Sequence, residues 1–211
     1  MRKLSLLILA AALTQVACSL GGPTRPASFY ALSPQPGTPV PGAASRAVAV
    51  GPIDLPELYD RPQIVTRPDD NRLDLSEYER WGGSLGEDLQ RVLIQNLISR
   101  LNTDTVFAAP WQREDAPAFQ VSVRFFRFDG EPDSQAHLSG IWQLLDARHG
   151  CRLAIRRFDI RQDTGGVGYD RFVAALSLGL ARLSQDIAGV VATARPGCPA
   201  AVTGSAGSSP E

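Results

Sequence analysis

Lysine is almost missing from this chain: Lys3 is the only one, and every other basic residue is arginine. The 21 basic residues do not outnumber the 22 acidic ones. That balance lacks the cationic surplus a nucleic-acid surface needs, so a nucleic-acid partner is excluded. Soft metal ligands are equally scarce, with two histidines and three cysteines. His149 and Cys151 are the only close pair, and nothing nearby completes a tetrahedral set. No metal site and no cofactor is expected. Long apolar runs are absent too. The longest, Leu4 to Leu13, is about ten residues, well short of the ~20 that span a bilayer as a helix.

What is present begins with that short run. Met1-Arg2-Lys3 precedes it, and the small-residue zone Thr14-Gln15-Val16-Ala17 follows. A positive start, an apolar centre and a small-residue end form a secretory signal, here residues 1–17. Cys18 follows directly, as in bacterial lipoproteins whose cysteine is acylated and becomes the new N-terminus. Gln15 stands where a lipobox usually has an aliphatic residue, so ordinary cleavage near Ala17 into a soluble exported protein is the other reading. With acylation, the non-acidic Ser19 fits sorting to the outer membrane. Arg2 and Lys3 leave with the signal, so 19 basic residues then face 22 acidic ones.

Residues 18–45 are rich in Pro, Gly, Ser and Ala and read as an anchor and flexible tether, with one short docking strand at Phe29-Tyr30-Ala31-Leu32. Residues 196–211 lack apolar periodicity and read as a disordered tail. One domain, 46–195, remains. Val48 lies in a short buried strand, and residues 63–75 form a hairpin about Asp69-Asp70-Asn71. Leu85, Leu89, Val92, Leu93, Leu97 and Leu101 make one stripe of a helix over 84–101. A Ser84/Glu87 capping box opens it and Asn102 closes it.

Strands over 119–128, 138–145 and 153–160 read as an antiparallel meander. A last helix spans about 170–194, with Asp170 as its N-cap and Arg195-Pro196-Gly197 as its stop. The class is α+β: a mixed, mostly antiparallel sheet with two amphipathic helices packed on one face. Phe126 and Phe128 are placed on the face opposite Val121 and Val123, and Ile141 and Leu145 opposite Trp142 and Leu144. The sheet therefore has a second, partly apolar face, either an interaction surface or one covered by the loops at 51–62 and 109–117.

Catalytic patterns are weak. Gly82-Gly83-Ser84-Leu85-Gly86 fits G-x-S-x-G, but the residues before it, Glu77-Tyr78-Glu79-Arg80, are too polar for the apolar strand a nucleophile elbow requires. A Ser84 hydrolase would have only His137 or His149 as its base. Gly165-Gly166-Val167-Gly168 precedes a helix, yet Asp163 and Asp170 flank it with negative charge, so a strand-to-helix loop is the simpler reading. Arg152, Arg156, Arg157 and Arg161 form a cationic strand edge, either a solvated edge that discourages pairing or a surface for anionic lipid headgroups or an acidic partner. Cys151 and Cys198 are either a disulfide or two separate thiols.

Val50-Gly51-Pro52-Ile53-Asp54-Leu55-Pro56, then Asp60-Arg61-Pro62-Gln63-Ile64-Val65-Thr66-Arg67, then Asn71-Arg72-Leu73 and Arg80-Trp81, resemble the PqiC/YmbA-type family of ABC-transport auxiliary lipoproteins. Phe29-Tyr30-Ala31-Leu32 resembles that family's Tyr-rich stretch after the lipidated cysteine. The resemblance implies a non-enzymatic lipoprotein at the outer membrane, facing the periplasm. Its implied partners are an MCE-domain protein and an ABC transporter in lipid transport, with a ring-like homo-oligomer as its own assembly. It marks Arg61, Pro62, Gln63, Asn71, Arg80 and Trp81 as a shared surface or structural motif. A periplasmic carrier that itself holds a lipid or apolar ligand is the alternative.

Overall fold

The computed structural model describes residues 25–42, 46–112 and 117–198. The signal segment, Cys18 and residues 199–211 lie outside the described residues. Strands β1 (Ser28–Tyr30), β2 (Val48–Asp54), β3 (Gln63–Asp69) and β4 (Arg72–Trp81) precede helix α1 (Leu85–Leu101). Strands β5 (Val106–Ala108), β6 (Phe119–Glu131), β7 (Gln135–Asp146) and β8 (Arg152–Asp163) follow, and helix α2 (Tyr169–Thr193) comes last.

The fold is α+β, with the strands divided between two sheets. A five-stranded sheet has the order β5-β2-β6-β7-β8, and a three-stranded one the order β1-β4-β3. β6, β7 and β8 form the expected antiparallel meander. β2 pairs in parallel with both β5 and β6.

The meander's period-2 pattern builds the core. Phe119, Val121, Val123 and Phe125 of β6 and Leu138, Trp142 and Leu144 of β7 are buried against the helix layer. The apolar stripes of α1 and α2 meet them, so removing both stripes from water is what makes these segments hold as helices. Close packing has a sequence requirement at Gly179, where a Cβ would lie 2.7 Å from the Leu138 Cδ1 of β7. The indole N–H of Trp142 donates to Asp186 of α2 at 2.9 Å, satisfying a buried donor and fixing that crossing.

Several expectations are corrected. Phe128 is not on the outer face. The register slips between Phe125 and Arg127, so Phe126 becomes the extra residue of a bulge. Phe128 turns inward, 2 % exposed, with its ring edge-on to Phe125 at 5.6 Å. The polar run before Ser84 is a strand after all: it completes β4, whose partners β1 and β3 supply ladder bonds that outweigh its composition. Asp170 does not cap α2; Gly168 does, without a side-chain bond, and Asp170 sits in the first turn where the helix dipole favours a carboxylate. Asn102 closes α1 in the left-handed conformation.

The segment read as a tether is folded from residue 28 to residue 40. β1 pairs with β4, and the chain then runs extended along α1 as a strap. At the other end, residues 195–198 also belong to the folded unit. Cys151 and Cys198 are joined by a disulfide with Cα atoms 5.7 Å apart, and the Gly197 amide donates to Asp146.

Candidate functional site

The motif residues divide in the structure. Pro62, Gln63, Arg80 and Trp81 come together where β3 and β4 meet β1. The Trp81 amide donates to the Pro62 carbonyl at 2.7 Å, and the Gly82 amide to the Tyr30 carbonyl at 2.8 Å. Phe29, Arg80 and Gln63 are register partners, one row across the three-stranded sheet. Alternation then sets their roles. Trp81 is buried with its ring 6.4 Å from Phe128, and Tyr30 packs inward 6.2 Å from Tyr169. Arg80 and Phe29 point outward, Phe29 being 68 % exposed. Arg61 lies beside this row, its amide on the Tyr59 carbonyl and its Nε buried. Asn71 is not part of the group; it lies in the β3–β4 turn, its amide on Asp69 Oδ1.

The strap frames this row. Ser33, Gln35 and Gly37 donate their amides to Ser177 of α2 and to Asn96 and Ser99 of α1. Leu32 donates to Asp88, and Val40 to the Arg100 carbonyl. Pro34 and Pro36 occupy the intervening positions, where an amide would have pointed away from the helices. Arg91 and Arg100 return donors to the Leu32 and Gln35 carbonyls. The alternation of proline with donor residues, and the buried polar Asn96 and Arg100 on α1, were the sequence signals for this strap.

Sequence reasoning also missed a buried charge cluster. Asp129 is fully buried and accepts from the Tyr59 hydroxyl at 2.6 Å, Arg67 Nε at 2.7 Å and Arg127 Nη2 at 2.8 Å. Burial, and then the bond to Asp129, push the Tyr59 phenol up to about 12. This cluster fastens the 55–62 loop and β3 onto β6, covering one end of the larger sheet's outer face.

The other end of that face is open. Pro52, Ile53, Arg124, Ile141, Arg152 and Ile155 line a shallow depression of about 570 Å³. Ile155 is 51 % exposed and Phe126 45 %. β8, the sheet's edge strand, carries the four arginines, of which Arg156 pairs with Asp186 at 2.8 Å.

Ser84 is the N-cap of α1, accepting from the Glu87 amide at 3.4 Å. The two histidines are held by aspartates: His137 Nε2 lies 3.0 Å from Asp159, and His149 Nδ1 2.9 Å from Asp146. The glycine-rich loop's amides are bound internally, Gly165 to Asp163 and Gly168 to Asp133. Among the described residues no group of three or more His, Cys, Asp or Glu side chains could hold a metal ion. No helix among them is long and apolar enough to cross a membrane.

Two open sheets, a helix layer and an N-terminal strap make the described residues an α+β module. The model for the ABC-type transport auxiliary lipoprotein component matches residues 30–188, and the chain belongs to that family. The fold is shared with the crystal structure of an uncharacterized protein at 23 % identity and TM-score 0.65, covering 78 % of this chain and 97 % of that one. It is shared also with protein XCC0632 from Xanthomonas campestris, of the DUF330 family, at 16 % identity and TM-score 0.63, covering 78 % and 95 %. No curated protein matches the chain.

Proposed function

We propose that this protein is a non-enzymatic accessory lipoprotein of an MCE/ABC-type lipid transport system. It is held at the outer membrane by acylated Cys18 and docks the periplasmic conduit there. The observation that carries this reading is the family match over residues 30–188 on a chain whose signal-type leader is followed directly by Cys18. The open half of the five-stranded sheet supports a docking role. It mixes Ile53, Ile141 and Ile155 with Arg124 and Arg152, the apolar-plus-arginine composition of partner surfaces. The helix–sheet interior is filled by side chains such as Trp142, Phe119 and Phe125, which favours a docking module over a lipid carrier.

Two experiments test it. Metabolic labelling with a fatty-acid probe should mark the wild type and not Cys18→Ala; absence of label from both removes the anchor. Ile155→Asp with Ile141→Asp should abolish capture of the MCE-domain protein by the membrane-bound lipoprotein while leaving its fold intact by circular dichroism. Undiminished capture would remove the docking role from this face.

A further inference from the structure

Phe29 has no role in the core. It is 68 % exposed on β1, an edge strand, and its row-mates Arg80 and Gln63 are polar. Large aromatic side chains left in water normally serve a surface. Its position decides which one. Only seven peptide steps separate Cys18 from Arg25, where the described chain begins, so the span is at most about 25 Å even fully extended. Arg25 is then tied down. Its guanidinium pairs with Glu79 at 2.8 Å and lies 5.3 Å from the centre of the Tyr78 ring. From Leu32 to Val40 the strap is bonded to the helices, so β1 cannot be drawn away from the domain to lengthen the leash.

We propose that the row Phe29, Arg80 and Gln63 is a second membrane contact that sets the orientation of the whole domain. Phe29 inserts at the lipid–water boundary, and Arg80 meets the anionic headgroup phosphates. The proposal rests on the reading of Cys18 as the lipid anchor. The chemistry is that of an interfacial contact: an aromatic ring for the acyl boundary and a guanidinium at phosphate depth. Neither need be strong, because the anchor already holds the surface at high effective concentration. This contact leaves the open face of the five-stranded sheet on a different part of the molecule, free for a protein partner.

The test uses acylated full-length protein on phosphatidylethanolamine/phosphatidylglycerol vesicles carrying brominated acyl chains. Phe29→Trp should add an indole emission that is blue-shifted and largely quenched by the bromolipid. Ile155→Trp, on the edge strand of the five-stranded sheet, should add emission that is not quenched. Flotation is read in the same samples. Vesicles that float with protein but leave the Phe29→Trp emission unquenched, or that quench both variants alike, overturn the membrane-facing row and leave the anchor standing. Protein that does not float overturns the anchor, and the proposal with it.

Discussion

Two buried polar side chains contribute stability that is lost at opposite ends of the pH scale. Asp146, with 1 % of its side chain exposed, accepts from the amides of His149, Gly197 and Arg148 and from the His149 ring. Those bonds, the His149 amide first, hold its carboxyl down at about 2. A carboxylate whose pKa is depressed by folding stabilises the fold above its ordinary value, 3.8, and loses that contribution as pH falls towards 2. The melting temperature of Asp146→Asn should therefore lie below that of the wild type at neutral pH, the gap closing between pH 4 and about 2. Tyr59 works in the other direction. Its phenol is raised from 10.0 to about 12, so its contribution is complete below pH 10 and is lost as pH rises through the folded value. Tyr59→Phe should cost about 1–2 kcal/mol at neutral pH in urea unfolding and flatten the alkaline limb of the stability profile. Neither side chain was legible in the sequence. Asp129, the partner of Tyr59, follows a β-bulge that period-2 counting passes over, and Asp146 is buried by a tail segment that reads as disorder.

At the scale of elements, legibility follows the source of the stabilisation. The stripes of α1 and α2 and the alternation in β7 and in β6 up to its bulge are local patterns that report burial directly, and these elements lie where their periodicity places them. β4 beyond Ser76 and the strap at 32–40 carry no such pattern, because non-local hydrogen bonds hold them. The strap is the sharper case: Pro and Gly composition suggests freedom, while proline spacing suits an extended chain bonded on alternate amides. Gly37 shows how tightly it is set. A Cβ there would lie 2.6 Å from Arg100 Cζ, and Arg100 is 5 % exposed and committed to the Gln35 and Asn96 carbonyls. Gly37→Ala should break one or two of these bonds, costing about 1–3 kcal/mol locally. Hydrogen exchange should then accelerate at the Gln35 and Val40 amides while the β6–β7 amides keep their protection. Unchanged exchange at Gln35 would mean the strap has room that its packing denies. The motif row was half legible in the same sense. Its residues were marked by resemblance, but their division into an inward pair and an outward row needed the register of β1, β4 and β3.

For the molecule as a whole, the two ends of the described chain are both fastened, and to different layers. The N-terminal strap lies on the helices. The C-terminal segment is bound to the sheet, through the Cys151–Cys198 disulfide and the Gly197–Asp146 bond at the β7–β8 turn. The disulfide closes a loop with a sequence separation of 47 that contains β8 and α2, so it restricts the unfolded chain across one strand of the meander and the whole second helix. In the loop-entropy model a closure of this length contributes about 4 kcal/mol. Its formation requires an oxidising compartment, in keeping with export. Cys198→Ser and dithiothreitol-treated wild type should therefore lose comparable stability, up to about 4 kcal/mol in urea unfolding, with the folded spectrum retained in both. If reduction leaves the midpoint unchanged, the Asp146 bonds and the packing of α2 on β7 hold this end without the cross-link. Because the strap is bonded to α1 and to Ser177 of α2, helices that share one core, protection of the Gln35 amide should be lost only with global unfolding in either form. That result would show strap, helices and sheet unfolding as one cooperative unit.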